Sequence, residues 1–219
     1  MRQAFGLILL GLLWSSCGER QSVVFKAPLP DSNQPAPHEA VATFAEGCFW
    51  HTEIVFQSLK GVRDAVSGYA GGMDDHPDYE SVSNGNTGHA EAVAVYYDST
   101  KISFEQLVAA FFASHDPTQL GHQGPDVGPQ YRSIAFYRNR QEKAAIETAI
   151  AEINASGRYT KKLVTEVLPL TKFYPAEAYH QEYIANHPND IYVHNVSIPD
   201  YINFRKTFSG PFKDTLVKR

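Results

Sequence analysis

The residue with the clearest chemical potential is Cys48, which lies in the sequence GCFWHTE at residues 47–53. An apolar stretch that predicts a strand ends before Gly47, and the apolar spacing from Phe49 onward predicts a helix that begins at or beside Cys48. Free backbone N–H groups and the positive end of the helix dipole favour a thiolate there, so we expect a lowered thiol pKa. Phe49 and Trp50 would place aromatic faces beside the sulfur. The alternative is an inert, buried cysteine with both aromatic residues in the core.

The first residues of the chain differ in composition from the rest. Arg2 supplies a positive charge, residues 5–14 are mostly apolar, and two serines precede Cys17. This layout is typical of a secretory signal and is too short for a membrane-spanning helix. The residues before Cys17 resemble the lipobox of bacterial lipoproteins, although Trp14 stands where leucine is usual. We therefore predict a signal peptide over residues 1–17, lipidation of Cys17 and a periplasmic, membrane-anchored protein, with cleavage alone or an uncleaved segment as the alternatives.

The cysteine count limits the redox chemistry of the folded part. The chain has two cysteines, and maturation at Cys17 leaves Cys48 as the remaining thiol. A domain with one thiol cannot form an internal disulfide, so Cys48 is either inert or reactive. Residues 18–39 are rich in proline and lack a periodic apolar pattern, which predicts a flexible tether.

Hydrophobic periodicity predicts alternating strands and helices over residues 40–168. The predicted strands are Ala40–Ala45, Val62–Tyr69, Ala90–Tyr97, Arg132–Tyr137 and Leu163–Leu168. The predicted helices are Phe49–Leu59, Ser103–His115 and Arg140–Ser156. Ser103 with Gln106 three residues later predicts a capping box, and Gly157 is expected to end the last of these helices.

The order of these elements predicts an α+β fold. Successive strand–helix–strand units fit a split βαβ (ferredoxin-like) two-layer sandwich with a mixed sheet. We expect one domain over residues 40–212 and a tail over residues 213–219. Asp116–Gln130 and the chain beyond Pro188 are predicted as long loops, and such loops on an α/β core tend to carry the functional site.

A series of segments in fixed order resembles one protein family. The segments are GCFWHTE at 47–53, SGYAGG at 67–72, PDYESV at 77–82, GNTGHAE at 85–91, HDPTQ at 115–119, QGPDVGPQYRS at 123–133 and AEAYHQEY at 176–183. Together they resemble the A-type peptide methionine sulfoxide reductases. The resemblance runs from residue 44 to residue 183 without a large gap.

The resemblance implies reduction of methionine S-sulfoxide, free or in proteins, to methionine, which repairs oxidative damage. The family's nucleophile falls on Cys48, its acid on Glu91, and its phenol donors on Tyr79 and Tyr131. A carboxyl group walled by aromatic rings holds a proton near neutral pH, which fits the role of acid. Taken alone, Glu91 would be an exposed strand residue, and the two tyrosines would be half-buried surface residues.

The resemblance also implies a set of substrate contacts. Phe49 and Trp50 fall at positions that contact the methyl group on the substrate sulfur, and Asp126 falls near the substrate backbone and a water network. The alternative for Asp126 is the cap of a turn in a glycine-rich loop. Glu53, although part of the family signature, is expected to stabilise the helix or support the site from behind.

Two departures from the family pattern bear on turnover. His51 stands where the family often has a small residue, and we expect its side chain to point to solvent rather than share a face with Cys48. Residues 209–219 contain no cysteine, whereas many family members carry resolving thiols there. We therefore expect the sulfenic acid on Cys48 to be reduced by an external thioredoxin-like protein or a small thiol.

Composition and motif content weigh against several other function classes. The formal net charge of −5 and the lack of a basic stripe argue against nucleic-acid binding. His89-Ala90-Glu91 matches half of the zinc deaminase signature, but the sequence lacks the downstream cysteine pair, so we expect neither a metal nor a cofactor. The remaining alternatives are a Cys–His hydrolase or transferase, a thiol peroxidase, and a non-catalytic lipoprotein in which Cys48 is buried.

Overall fold

The computed structural model describes residue 35 and residues 38–213. The predicted signal peptide, Cys17, and nearly all of the predicted tether and tail therefore lie outside the described residues. The strands are β1 (Glu39–Glu46), β2 (Val62–Ala70), β3 (Ala90–Asp98), β4 (His122–Gln123), β5 (Asp126–Val127), β6 (Ser133–Tyr137), β7 (Glu166–Pro169) and β8 (Phe173–Pro175). The α-helices are α1 (Phe49–Gln57), α2 (Tyr79–Ser83), α3 (Phe104–Ser114), α4 (Arg140–Ser156), α5 (Tyr183–Asn186) and α6 (Ile198–Thr207). In this part of the chain, no helix is long and apolar enough to cross a membrane.

The main sheet has six strands in the order β7-β6-β1-β3-β2-β8. All neighbouring pairs are antiparallel except β6 and β7, which are parallel, so the sheet is mixed. Its four inner strands and the helices α1 and α3 follow each other as β-α-β-β-α-β, the split βαβ order. The predicted α+β fold with a mixed sheet is confirmed. β4 and β5 form a separate two-stranded hairpin.

Aromatic side chains from one face of the sheet fill the space beneath α1 and α3. Phe44 of β1 is fully buried and stacks on Phe56 of α1 and on Phe111 of α3, with ring centroids 5.1 Å apart in both pairs. Burying a side chain of this size stabilises the fold by about 1.5–3 kcal/mol. Trp50 is the one residue of α1 that is not buried. The helix that follows Cys48 is therefore held on nearly all sides.

Capping residues in the sequence predicted most helix ends correctly. Ser103 and Gln106 form the predicted capping box at the start of α3, and Gly157 ends α4 in the left-handed conformation with φ of 73°. The predicted end of α1 at Leu59 is wrong by two residues, because α1 stops at Gln57. Residues 163–165 precede β7 instead of belonging to it, since the N–H of Val164 donates to the carbonyl of Pro117 at 2.8 Å.

The prediction of a loop beyond Pro188 is wrong. A π-helical turn at Val193–Ser197 leads into α6, in which Tyr201 and Phe204 are buried against the core. Pro199 lies in the first turn of α6, directly after the π-helical turn, and does not end the helix. The short elements α2 and β8 and the hairpin were not predicted.

Candidate active site

Cys48 lies at the N-cap of α1, directly after the end of β1. Its carbonyl accepts the N–H groups of His51 at 3.1 Å and Thr52 at 3.3 Å, which begin the helix. The turn from strand to helix needs glycine at residue 47, where φ is +108° and an added Cβ would lie 2.8 Å from the Gln123 Cβ. Glycine therefore lets Gln123 of the β4–β5 hairpin pack directly against residue 47, beside Cys48.

The thiol of Cys48 is not activated in the way the sequence suggested. Burial raises the pKa of this thiol well above its usual value, and the charges of Glu91 and Asp126 raise it further. The backbone N–H groups of Trp50 and His51 lower the pKa, as expected at a helix start, but burial and the two carboxyls have the larger effect. The predicted lowered pKa is wrong. The residue itself is half-buried, so it is not sealed in the core.

Glu91 lies in β3 and faces the start of α1. Its side chain is buried, with 2% exposure, and its Oε2 accepts a hydrogen bond from the backbone N–H of Phe49 at 3.0 Å. Burial raises the pKa of Glu91 to about 8, although this hydrogen bond lowers it. The alternative of an exposed strand residue is wrong. At neutral pH the carboxyl holds a proton beside the residue that follows Cys48.

The phenols of Tyr79 and Tyr131 lie close enough to Cys48 and Glu91 to feel their charges. Burial raises the pKa of both tyrosines, and the charges of Glu91 and Cys48 raise it further. Tyr79 is the first residue of α2, and its backbone N–H donates to Glu177 Oε1 at 2.9 Å. Tyr131 ends the 3₁₀ turn at Pro129–Tyr131. Both phenols therefore remain neutral hydrogen-bond donors at neutral pH.

Of the two aromatic residues after Cys48, Phe49 lies in the core and Trp50 lies partly at the surface. Phe49 is 1% exposed, and its ring centroid lies 4.9 Å from that of His180. Trp50 is half-buried and stacks on Tyr183 with ring centroids 3.6 Å apart, while its Nε1 donates to His180 Nδ1 at 3.1 Å. The indole ring is thus fixed in orientation and offers the larger open apolar surface of the two.

Asp126 is held by a tyrosine that sequence reasoning missed. The hydroxyl of Tyr192 donates a hydrogen bond to Asp126 Oδ2, and burial and the charge of Cys48 raise the pKa of Tyr192, so the side chains of Tyr192 and Cys48 are near each other. Burial raises the pKa of Asp126, and the bond from Tyr192 lowers it. The structure thus brings Asp126 to the cysteine, at the edge of the β4–β5 hairpin.

The expectation that His51 points to solvent is wrong. His51 is 9% exposed, and its Nε2 lies 3.3 Å from the carbonyl oxygen of Ser114 at the end of α3. Burial lowers the pKa of this imidazole, and the charge of Asp200 opposes the shift. His51 is therefore a neutral, buried imidazole one turn after Cys48.

Glu53 supports the site from the far side of α1. Its side chain is 2% exposed, and it accepts hydrogen bonds from the Ser67 hydroxyl and from the backbone N–H of Glu182, the latter at 2.6 Å. Burial raises the pKa of Glu53 to about 8. These bonds tie α1 to β2 and to the segment that carries His180 and Tyr183.

Four residues of the site carried no assigned role at the level of sequence: Glu177, His180, Tyr183 and Tyr192. The first three lie in the AEAYHQEY segment, so the family resemblance pointed to their neighbourhood without giving a contact. Tyr192 lies in the region predicted as a loop, and no local signal distinguished it. Within residues 38–213, no group of three or more His, Cys, Asp and Glu side chains is arranged to hold a metal ion.

Comparison with known proteins decides the family. A family model described as peptide methionine sulfoxide reductase matches residues 40–210. The chain belongs to this family. The reductase is 46% identical over 172 residues to the peptide methionine sulfoxide reductase MsrA of Pasteurella multocida, a match that covers 78% of this chain and 98% of that protein. It is 47% identical over 172 residues to MsrA of Thermus thermophilus, covering 78% of this chain and 97% of that protein.

Solved structures give the same family and fold. The reductase is similar to Mxr1 of Saccharomyces cerevisiae in reduced form, with a TM-score of 0.67 and 33% identity, covering 72% of this chain and 91% of that chain. It is also similar to methionine sulfoxide reductase A of Corynebacterium diphtheriae, with a TM-score of 0.64 and 30% identity over 77% of this chain and 90% of that chain. The predicted family is confirmed.

Proposed function

We propose that this reductase converts methionine S-sulfoxide, free or in proteins, to methionine by attack of the Cys48 sulfur on the sulfoxide sulfur. The observation that carries the proposal is the placement of a protonated carboxyl at the start of α1. Glu91 accepts the N–H of Phe49 at 3.0 Å, so the acid is fixed beside the residue that follows the nucleophile. Reduction of a sulfoxide needs both groups, because its oxygen must gain a proton as the S–O bond weakens.

Cys48 and Glu91 together supply and take up the protons that sulfoxide reduction requires. Cys48 and Glu91 are both protonated at neutral pH because burial raises the pKa of each. As the Cys48 sulfur bonds to the sulfoxide sulfur, Glu91 gives its proton to the sulfoxide oxygen and takes up the proton of the thiol. The hydroxyl group then passes from the substrate sulfur to the Cys48 sulfur and the bond between the two sulfurs breaks, which leaves a sulfenic acid on Cys48 and releases the substrate as the thioether.

The surroundings supply substrate contacts of two kinds. The phenols of Tyr79 and Tyr131 are neutral donors that can hold the sulfoxide oxygen during attack. The ring of Trp50, fixed by Tyr183 and His180, offers an apolar surface to the substrate methyl group. Asp126, held by Tyr192, is placed for a polar contact with the substrate backbone.

A single-turnover experiment without reductant tests this function. Wild-type protein should form one equivalent of methionine from the S epimer, none from the R epimer, and gain one oxygen atom on Cys48. Cys48→Ser should form none. Cys17→Ser, which removes the other cysteine, should behave like the wild type. Methionine formation by Cys48→Ser at the wild-type rate would refute the proposal.

We propose in addition that an external thiol, either a thioredoxin-like protein or a small thiol, reduces the sulfenic acid on Cys48. The support is the cysteine count, since Cys17 and Cys48 are the two cysteines of the sequence and the N-terminal pattern predicts lipidation of Cys17. After one turnover without reductant, intact mass should show an oxidised Cys48 and no disulfide. A disulfide between Cys17 and Cys48 in the mature protein would contradict this cycle.

We propose a periplasmic location with attachment to the membrane through lipid on Cys17. The support is the positive, apolar and small-residue pattern of residues 1–17. Mass determination of the N-terminus on protein extracted from membranes should find a lipid-modified cysteine as the first residue. Recovery of the unprocessed chain in the soluble fraction would refute the proposal.

A further inference from the structure

Glu177 links two elements of the site that are far apart in the sequence. Its Oε2 accepts a hydrogen bond from the Tyr69 hydroxyl at 2.8 Å, and its Oε1 accepts one from the backbone N–H of Tyr79 at 2.9 Å. Tyr69 lies in β2, and Tyr79 is the first residue of α2. A single carboxylate therefore joins β2 to the helix that carries one of the two phenol donors.

The β2 end of this link lies beside the proposed acid. Tyr69 stands directly opposite Glu91 in the antiparallel pairing of β2 with β3. Side chains opposite each other in such a pair lie on the same face, with Cβ atoms about 4.5–5.5 Å apart. Tyr69 is 1% exposed, so its ring is fixed in the core. The bond from its hydroxyl therefore holds Glu177 at a fixed distance from Glu91.

The other end of the link lies in a helix that depends on the rest of the protein for its position. α2 has five residues, of which one is buried, and helices this short are not stable alone. Asp78 caps its first turn, and Gln130 Nε2 donates to the carbonyl of Ser83 at its far end at 3.1 Å. The bond from Tyr79 to Glu177 holds the backbone of the residue that carries the phenol.

The segment that carries Glu177 is itself fixed to β2. The side-chain amide of Gln181 accepts the N–H of Ser67 and donates to the carbonyl of Ser67, both at 3.0 Å. The ring centroid of His180 lies 4.4 Å from that of Tyr79. The same segment thus holds the backbone of Tyr79 through Glu177 and contacts its ring through His180.

The Glu177 carboxyl is ionised at neutral pH. Burial raises its pKa, but hydrogen bonds from the N–H of Tyr79, from its own backbone N–H and from the Tyr69 hydroxyl, together with the nearby His180, lower the pKa by more. Hydrogen bonds to a charged acceptor are stronger than those between neutral groups. The carboxylate is therefore a firm link between its two donors.

We propose that Glu177 is a positioning residue, which fixes the phenol of Tyr79 relative to the carboxyl of Glu91. The inference rests on the proposed function, in which Tyr79 holds the sulfoxide oxygen while Glu91 protonates it. Both groups must reach one oxygen atom, and a misplacement of about 1 Å can lower a rate about 100-fold. Glu177 acts through Tyr79 rather than on the substrate.

A double-mutant cycle with Tyr79→Phe tests the inference in the full-length protein. The readout is the single-turnover rate of methionine formation from S-sulfoxide without reductant. Tyr79→Phe should lower this rate about tenfold or more, because it removes one donor to the oxygen. Glu177→Ala should lower the rate about tenfold in the wild-type background and less than about twofold in the Tyr79→Phe background. A residue that only stabilised the fold would lower the rate by the same factor in both backgrounds.

Two conservative variants support the cycle. In Glu177→Gln, the amide oxygen can accept the N–H of Tyr79 and the amide N–H can donate to the Tyr69 hydroxyl oxygen, so the rate should stay within about threefold of the wild type. Tyr69→Phe removes one of the two bonds and keeps the shape of the core. It should lower the rate about threefold in the wild-type background and leave it unchanged in Tyr79→Phe. This variant decides the question if Glu177→Ala does not fold.

Asp98→Ala is the matched control. Asp98 ends β3 at the opposite end of the strand from Glu91, and its Oδ1 also accepts one backbone N–H and one hydroxyl, both from Thr100. Its removal deletes the same kinds of bond far from Tyr79. We expect no change in the single-turnover rate of this variant.

The outcomes separate this inference from the function on which it rests. Equal factors in the two backgrounds, or unchanged rates in Glu177→Ala and Tyr69→Phe while Tyr79→Phe is slow, would overturn the inference alone. A Tyr79→Phe rate equal to the wild-type rate would overturn the donor role of Tyr79 and this inference with it. Failure of the wild type to form methionine would overturn the proposed function itself.

Discussion

Glu91→Gln is the substitution that tests the proposed mechanism most directly. Glutamine has nearly the shape of glutamic acid and can still accept the N–H of Phe49 through its amide oxygen, but it has no acidic proton to give. General acid catalysis contributes about 100- to 10,000-fold to a rate, which is about 3–5 kcal/mol of barrier. We expect the rate of the sulfoxide step to fall within that range, with little change in stability.

The role of Glu91 also predicts the direction in which the rate changes with pH. The pKa of Glu91 is raised to about 8, so about nine-tenths of the carboxyl is protonated at neutral pH. The wild-type rate of the sulfoxide step should therefore fall as the pH rises through about 8, because the acid is lost. The rate of Glu91→Gln should not fall in this pH range. It should also be much lower than the wild-type rate at every pH.

The assay is a rapid-quench single turnover with S-sulfoxide and no reductant, so that regeneration does not enter. The matched control is Glu53→Gln, since burial raises the pKa of Glu53 to about 8 as well and its carboxyl also accepts a backbone N–H. Glu53 lies among Ser67, Gln57 and Glu182 instead of beside Cys48. We expect this control to keep the rate within about threefold. An equal loss in both variants, or a Glu91→Gln rate above one-tenth of the wild type, would refute the assignment of the acid.

Three further substitutions test the supporting contacts. Trp50→Ala removes the ring stacked on Tyr183, and steady-state kinetics should show a rise in KM of about tenfold with a smaller change in kcat. Tyr192→Phe removes the hydroxyl that holds Asp126, so the single-turnover rate should fall about tenfold; an unchanged rate would mean that the backbone of the hairpin alone positions this carboxyl. Ser103→Ala removes the cap of α3 and should lower the free energy of unfolding in urea by about 1 kcal/mol without affecting the rate.

The parts of the fold that the sequence predicted well are those encoded by short-range patterns. The inner strands and α3 and α4 show regular apolar spacing, and the caps at Ser103 and Gly157 are chemical signals that act within one turn. α6 lacked such a signal. Its buried residues are Tyr201 and Phe204, and its other positions are mostly polar, so its helical state depends on packing against α1 and α3.

The site shows the same division between local and tertiary causes. Cys48 could be identified from its place between a strand and a helix, and the family resemblance added Glu91, Tyr79 and Tyr131. The direction of the Cys48 pKa shift could not be predicted, because the helix start is visible in the sequence while burial and the neighbouring Glu91 are not. The position of His51 was missed for a similar reason, since the carbonyl of Ser114 that it contacts lies 63 residues away.

The raised pKa of Cys48 changes how its reactivity is understood. A lowered pKa would leave a thiolate open to any oxidant, which is the chemistry of the peroxidase alternative. In this site burial and the charge of Glu91 raise the pKa of the Cys48 thiol, and burial raises the pKa of Glu91, so both keep their protons until a group arrives that can accept one. A sulfoxide oxygen becomes such an acceptor as its sulfur is attacked, and hydrogen bonds from Tyr79 and Tyr131 would polarise the S–O bond and so favour that attack. Once Glu91 begins to give up its proton, it becomes the base that the Cys48 thiol needs. In the proposed mechanism, the substrate thus generates the nucleophile that attacks it.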